Sequence, residues 1–285
     1  MSKHLVNRIE GTIDAKEVIL GKGVVVEKDV IIRGKHGSAE KVRLGDFSYI
    51  GRGSVILTPH FELGDYSKLN AGAFVHGKKP ARIGRNCWFG GNVILDSMGG
   101  LDIDDNVGVG AHSQIWTHMQ FGDLVEGCRF FSNRYMYIGK DVWLVGHCIL
   151  SPVDVGERSM ALVGSVITRN MLANHIYAGV PAQDITEKMG SQFEERTPER
   201  KKEALENILS EFISKNPQYQ GSLRACLSYP INPESGVTYF NVSDRTYSQN
   251  YSEPEVAFLK SWVPLVKFIP RGAPIWLSPT HPKAR

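Results

Sequence analysis

An aliphatic residue recurs every six positions through roughly the first two thirds of this chain, and few folds can use such a period. The repeats begin Leu20-Gly-Lys-Gly-Val-Val, Val26-Glu-Lys-Asp-Val-Ile, Leu44-Gly-Asp-Phe-Ser-Tyr, Ile50-Gly-Arg-Gly-Ser-Val, Leu63-Gly-Asp-Tyr-Ser-Lys and Leu69-Asn-Ala-Gly-Ala-Phe. They resume at Ile83, Phe89, Ile103 and Val109, and again, after a longer interruption, at Ile138, Leu144, Val155 and Ala161. A helix repeats every 3.6 residues and a half-buried strand every two, so a period of six suits short strands joined by tight corners. Each repeat sends one aliphatic side chain inward, and the Gly, Asn or Asp that follows is expected to give the corner a permissive backbone. Stacked coils bury the aliphatic column as a continuous core and pair their backbones above and below, which no single repeat could do alone. The fold expected is mainly β, a prism of parallel sheets.

The repeat ends near Gln183, which divides the chain into a β-helix domain over 1–185 and an extension of mixed α and β character over 186–285. In the extension, Thr197 and Pro198 read as the cap and first residue of a helix that carries Leu205, Ile208, Leu209, Phe212 and Ile213 on one face. Capping the open end of the prism is the plainest role for that face. Val237 to Val242 reads as a strand and Glu255 to Val263 as a short helix, while Pro264, Pro270, Pro274, Pro279 and Pro282 suggest an extended tail.

With 42% hydrophobic and 22% charged residues in 285, the chain is well folded rather than disordered. A net charge of +3, with the basic residues scattered, offers nucleic acid no electrostatic footprint. The N-terminus has no apolar core of signal-peptide length and no segment is apolar for long enough to span a membrane, so a cytoplasmic protein is expected. Cys87, Cys128, Cys148 and Cys226 form no C-x-x-C and read as buried free thiols.

The stretch richest in chemistry runs Thr117-His118, a loop, Ile138-Gly-Lys-Asp-Val-Trp143-Leu-Val-Gly146-His147, then Val163-Gly164-Ser-Val-Ile-Thr168-Arg169, and Ala178-Gly179-Val180-Pro181-Ala182. The repeats resemble the hexapeptide-repeat family, whose members fold as left-handed parallel β-helices. The left hand is implied by that resemblance alone, since parallel connections are usually right-handed. The order of the later motifs resembles the maltose and galactoside O-acetyltransferases and their polysaccharide-modifying relatives, closely over about residues 80 to 185 and loosely over the rest of the repeat.

Moving an acetyl group from a thioester to a sugar hydroxyl requires the hydroxyl proton to leave as attack occurs. A neutral imidazole, with an ordinary pKa of about 6.5, is suited to that task. The oxyanion that develops needs a main-chain N–H aimed at it. The resemblance implies His118 as the base and the N–H of Gly146 as the oxyanion donor. It implies acetyl-CoA as acyl donor, with no metal, lying along Trp143, Val163, Gly164, Thr168, Arg169, Ala178 and Gly179. It also implies a homotrimer with sites between subunits. Asn92, Asp96 and His147 are the residues it offers for the acceptor, a sugar, nucleotide-sugar or glycan. His60, His76 and His112 read as surface residues.

This chain departs from the family pattern in three places. Met119 stands where the family has proline after the histidine. Gln183 and Thr186 stand where the galactoside enzymes have arginines. The loop Gln120 to Tyr137 is its own, and its Phe121, Phe130, Phe131, Tyr135 and Tyr137 could stack on a sugar or pack at a subunit interface. Three other readings stay open: an N-acetyltransferase for a nucleotide-linked amino sugar, a zinc enzyme of the γ-carbonic-anhydrase type using His112, His118 and His147, and a non-catalytic scaffold.

Overall fold

A computed structural model describes residues 3–273, which form two compact units, one extending to Phe193 and the other from Glu194 onward. Pro274, Pro279 and Pro282 lie outside the described residues. The first unit is the parallel β-helix expected from the repeat, of the left-handed class that the resemblance implied, with three sheets along its sides. The first sheet begins with Arg8–Ile9 and stacks Tyr49–Ile50, Lys68–Leu69, Trp88–Phe89, Gly108–Val109 and Trp143–Leu144 in parallel. The second carries Phe74–His76, Ile94–Asp96, Gln114–Ile115, Ile149–Leu150 and Val166–Ile167, and the third runs from Ala15–Leu20 to Met136–Ile138.

Inside the first sheet Val26, Ile50, Leu69, Phe89, Val109 and Leu144 stack as one fully buried column. Each such side chain is worth about 1.5–3 kcal/mol relative to exposure, which is why the period holds through so many coils. Where the fifth residue of the repeat is a serine, its buried hydroxyl can satisfy a corner carbonyl: Ser67 donates to Gly84 O at 2.7 Å, and Ser165 to Leu162 O at 2.6 Å. Cys87 and Cys148 occupy this same position, buried, with their thiols on the Asp104 and Leu162 carbonyls. Cys128 and Cys226 are free and only partly buried.

The repeat glycines serve a different purpose from the one expected of them. Gly45, Gly84 and Gly110 do not adopt positive φ; the backbone of the next coil passes where a Cβ would stand. The left-handed position is the fourth of each repeat, taken by Asp29, Phe47, Tyr66, Asn86, Asn92, Asn106, His112, Asp141 and His147. Phe47 and Tyr66 tolerate it because their rings pack on each other with centroids 4.9 Å apart and both side chains are buried.

The helix ends in a feature the sequence did not announce: Ile176–Gly179 is followed by an antiparallel strand, Ala182–Asp184, across a cis Val180–Pro181 bond. A single helical turn, Thr186–Met189 (α1), follows.

The second unit opens with α2, Pro198–Lys215, whose Thr197 hydroxyl accepts the Arg200 N–H. Leu205, Leu209 and Phe212 are its buried face, and it packs on the strand Leu223–Cys226 of this unit's own four-stranded sheet. The strand read at Val237 to Val242 is Thr238–Asn241, and the short helix is α3, Glu253–Trp262. Phe212, Phe240, Phe258 and Phe268 close the core edge to face. Glu255 is fully buried, its carboxylate accepting from Thr238 Oγ1 and the Asn250 and Tyr251 N–H groups. Burial pushes that carboxyl up from its ordinary value.

Candidate active site

His118 begins just beyond the second-sheet strand Gln114–Ile115, where the coil breaks out into a two-stranded hairpin of His118–Met119 against Ser132–Asn133. Its Nδ1 is 2.8 Å from Asp96 Oδ2. The same oxygen accepts the Thr117 N–H at 2.8 Å and the Thr117 hydroxyl at 2.5 Å, while Oδ1 accepts the Met98 N–H at 3.2 Å. The Thr117 hydroxyl oxygen in turn accepts the Gly99 N–H at 2.9 Å. A carboxylate only accepts, so Nδ1 of His118 carries the ring proton and the lone pair of the neutral ring is left on Nε2. With the His118 side chain 23% exposed and Asp96 at 0%, the site has a fixed carboxylate below and an imidazole open above.

Asp96, read from the sequence as an acceptor ligand, is therefore enclosed and spends both oxygens inside the protein. His76, read as a surface residue, lies half-buried with Nδ1 3.8 Å from Asp96 Oδ1. Burial pushes its imidazole below the ordinary value; the Asp96 charge opposes that fall, and the His118 and Lys35 charges add to it. Trp116 meets both histidines edge-on. Neither His76 nor the pairing of Asp96 with His118 is carried by a motif. The coil register would have found them, since it sets Asp96 directly beside His76 and, one residue past Leu95↔Ile115, beside Trp116.

The other expected residues fall into groups. Asn92, His112, His147 and Gly164 stack along the corner between the first and second sheets, each N–H bonded to the coil below, with the His112 and His147 rings 5.0 Å apart. Gly146 lies buried in this corner at φ 150°, its carbonyl accepting the Gly164 N–H at 2.9 Å. Its own N–H has no partner among the described residues. Trp143 is 46% exposed on the first sheet of the same coil, its ring lying across Gly108. Val163, Ala178 and Gly179 continue along this side on later coils.

Thr168 and Arg169 lie at the other edge of the second sheet, the edge that carries His118. Arg169 is exposed and unpaired among the described residues. His118 and Gly146 thus stand at opposite edges of one sheet.

In the loop after His118, Phe121, Phe130 and Phe131 are exposed, while Tyr137 folds back to donate to Asp104 at 2.6 Å. Burial and neighbouring carboxylates push the Tyr135 and Tyr137 hydroxyls far up from their ordinary value. Among the described residues no three His, Cys, Asp or Glu side chains gather as a metal site, and no helix is long and apolar enough to cross a membrane.

No protein-family model matches the chain. Over 108 residues it is 29% identical to the galactoside O-acetyltransferase of Escherichia coli (strain K12), a match covering 37% of this chain and 53% of that protein. The chain thus spans about half the length of the curated relative it matches. Among solved structures it is similar to an N-acyltransferase from Bacillus cereus in complex with dTDP and coenzyme A, with TM-score 0.43 and 16% identity over 71% of this chain and 92% of that one. It is also similar to a hexapeptide-repeat-containing acetyltransferase from Vibrio cholerae, with TM-score 0.36 and 22% identity over 50% of this chain and 70% of that one.

Proposed function

We propose that this chain, whose coils resemble those of hexapeptide-repeat acyltransferases, transfers the acetyl group of acetyl-CoA to a hydroxyl of a sugar or glycan in the cytoplasm. The observation that carries the reading is the pairing of His118 with a fully buried Asp96, which fixes the ring and leaves Nε2 as the base. The activity of the Escherichia coli relative, an O-acetyltransferase for galactosides, supports a hydroxyl acceptor.

Nε2 takes the hydroxyl proton as that oxygen attacks the thioester carbonyl. The tetrahedral oxyanion is stabilised by the free N–H of Gly146, and its collapse breaks the C–S bond. The imidazolium returns the proton to the departing thiolate, so the products are an acetyl ester and CoA thiol. Trp143, Val163, Gly164, Ala178 and Gly179 receive the coenzyme along the first sheet and its corner, and Arg169 meets a phosphate.

The placing of His118 and Gly146 at opposite edges of the second sheet favours a site that one chain does not close alone. Two neighbours of a homotrimer do, one presenting His118 and the other Gly146 and Trp143. The test is release of free thiol from acetyl-CoA against hexoses, amino sugars, nucleotide-linked sugars and glycan oligomers, with His118→Ala in parallel. Thiol release that needs both His118 and a hydroxyl acceptor is expected. Release with amino sugars alone would make the enzyme an N-acetyltransferase, and none with any acceptor would remove the transferase reading.

A further inference from the structure

Asp96 stands at an outward-facing position of the second sheet, in register between His76 and Trp116, and is nonetheless 0% exposed. A row of rings stands beside it. Phe74 stacks on His76 with centroids 4.6 Å apart and planes 19° apart, and Trp116 meets His76 at 6.1 Å and His118 at 6.3 Å, edge-on to both. One carboxylate therefore meets two imidazoles, His118 on Oδ2 and His76 beside Oδ1, and one indole stands edge-on to both.

Proton transfer uses only the first of these imidazoles. Any apolar ring could shield Asp96, yet His76 keeps a second nitrogen on the ring edge away from the carboxylate, and about a quarter of its side chain is open. The Trp116 indole N–H is already committed to Gln114 Oε1 at 3.1 Å, which pins the ring and leaves it an apolar surface rather than a donor. A rigid aromatic surface flanked by two imidazoles matches a ring that offers C–H groups on one side and hydroxyls at its rim.

We infer that His76 and Trp116 form an acceptor subsite for a pyranose ring: the ring lies against Trp116, His118 takes the proton of one hydroxyl, and His76 hydrogen-bonds a second. The inference rests on the reading of His118 as the base, and it makes His76 a specificity-determining residue of that site.

The test uses the full chain with its histidine rings isotopically labelled, titrated with methyl β-galactopyranoside, methyl β-glucopyranoside and the open-chain polyol galactitol. Pyranosides are expected to shift the His76 and His118 ring signals and galactitol to leave them in place. In turnover, His76→Phe keeps a ring against Phe74 and Trp116 but loses the hydrogen bond. It should lower the preference for pyranoside over galactitol in kcat/KM by about threefold to tenfold, chiefly through KM, and His76→Asn should restore part of it. Ring signals unmoved by either pyranoside up to the solubility limit, or a preference unchanged in His76→Phe, overturns the subsite even if thiol release proceeds. Shifted ring signals in a protein that releases no thiol leave the subsite standing and remove the transferase reading.

Discussion

The proton on His118 Nδ1 is directed at a single oxygen, Asp96 Oδ2, which also holds both donors of Thr117. That geometry sets two expectations. On the proposed mechanism His118→Ala removes the base and should lower thiol release by roughly a hundred- to ten-thousandfold. Asp96→Asn replaces an acceptor by a group that also donates, so the ring can turn its lone pair inward. A fall in kcat of about tenfold to a hundredfold follows from losing a hydrogen bond to a charged group. Asp96→Asn with the parent's kcat at saturating acetyl-CoA would show that the carboxylate does not set the ring. Elsewhere, the Thr186 hydroxyl and N–H, and then His175, hold the exposed Asp184 carboxyl down at about 2 against an ordinary 3.8. A carboxyl held low in the folded state stabilises it fully above the unfolded value and loses that contribution as pH falls through the folded one. The difference in unfolding midpoint between the parent and Asp184→Ala should therefore be full at neutral pH and fade between 3.8 and about 2, and a difference constant through that window would refute the link. At this scale the sequence displayed His118 through its flanking motifs but hid its partner. Asp96 lies 22 positions away, and only coil register brings the two together.

Within a coil, the glycine after the aliphatic residue is required by the spacing between coils. A Cβ on Gly110 would run into the Val145 carbonyl, a backbone atom that cannot swing aside. Gly110→Ala should destabilise the helix by at least about 1–3 kcal/mol, read as a lower midpoint in denaturant with the slope unchanged. At Gly53, where φ is 69° and nothing stands within 4 Å, alanine should cost only the smaller strain of a left-handed backbone. Equal losses at the two positions would contradict the close-approach account. The repeat was thus legible as a pattern before its cause was. Periodicity registers which residues go inside, and it carries no record of the neighbouring backbone that excludes a side chain. α2 was legible for the opposite reason: its cap, its proline and its apolar face are all local, so Thr197 and the buried Leu205, Leu209 and Phe212 could be named from sequence alone. What that face packs on was not local, and it proved to be the strand Leu223–Cys226 of its own unit.

For the molecule as a whole, the proposed site would make assembly part of the chemistry, with His118 and Gly146 supplied by different chains. If the base and the coenzyme surface of one site come from different chains, damage to each can be repaired by mixing. Val163 is exposed, so Val163→Glu should leave the fold intact while setting a negative charge in the surface proposed to receive the coenzyme. Chains carrying only His118→Ala and chains carrying only Val163→Glu should each be inactive. Unfolded and refolded together in equal amounts, they assort at random, and on the order of a quarter of the sites then pair an intact His118 with an intact coenzyme surface. Sedimentation should give a particle of three 31.7 kDa chains in the parent and in the mixture alike. Recovery near a quarter of the parental thiol release would establish the site as shared between subunits. A mixture as inactive as its components, in a particle that still contains three chains, would mean that each chain supplies both halves of its own site, and that His118 and Gly146 do not act on the same acetyl group.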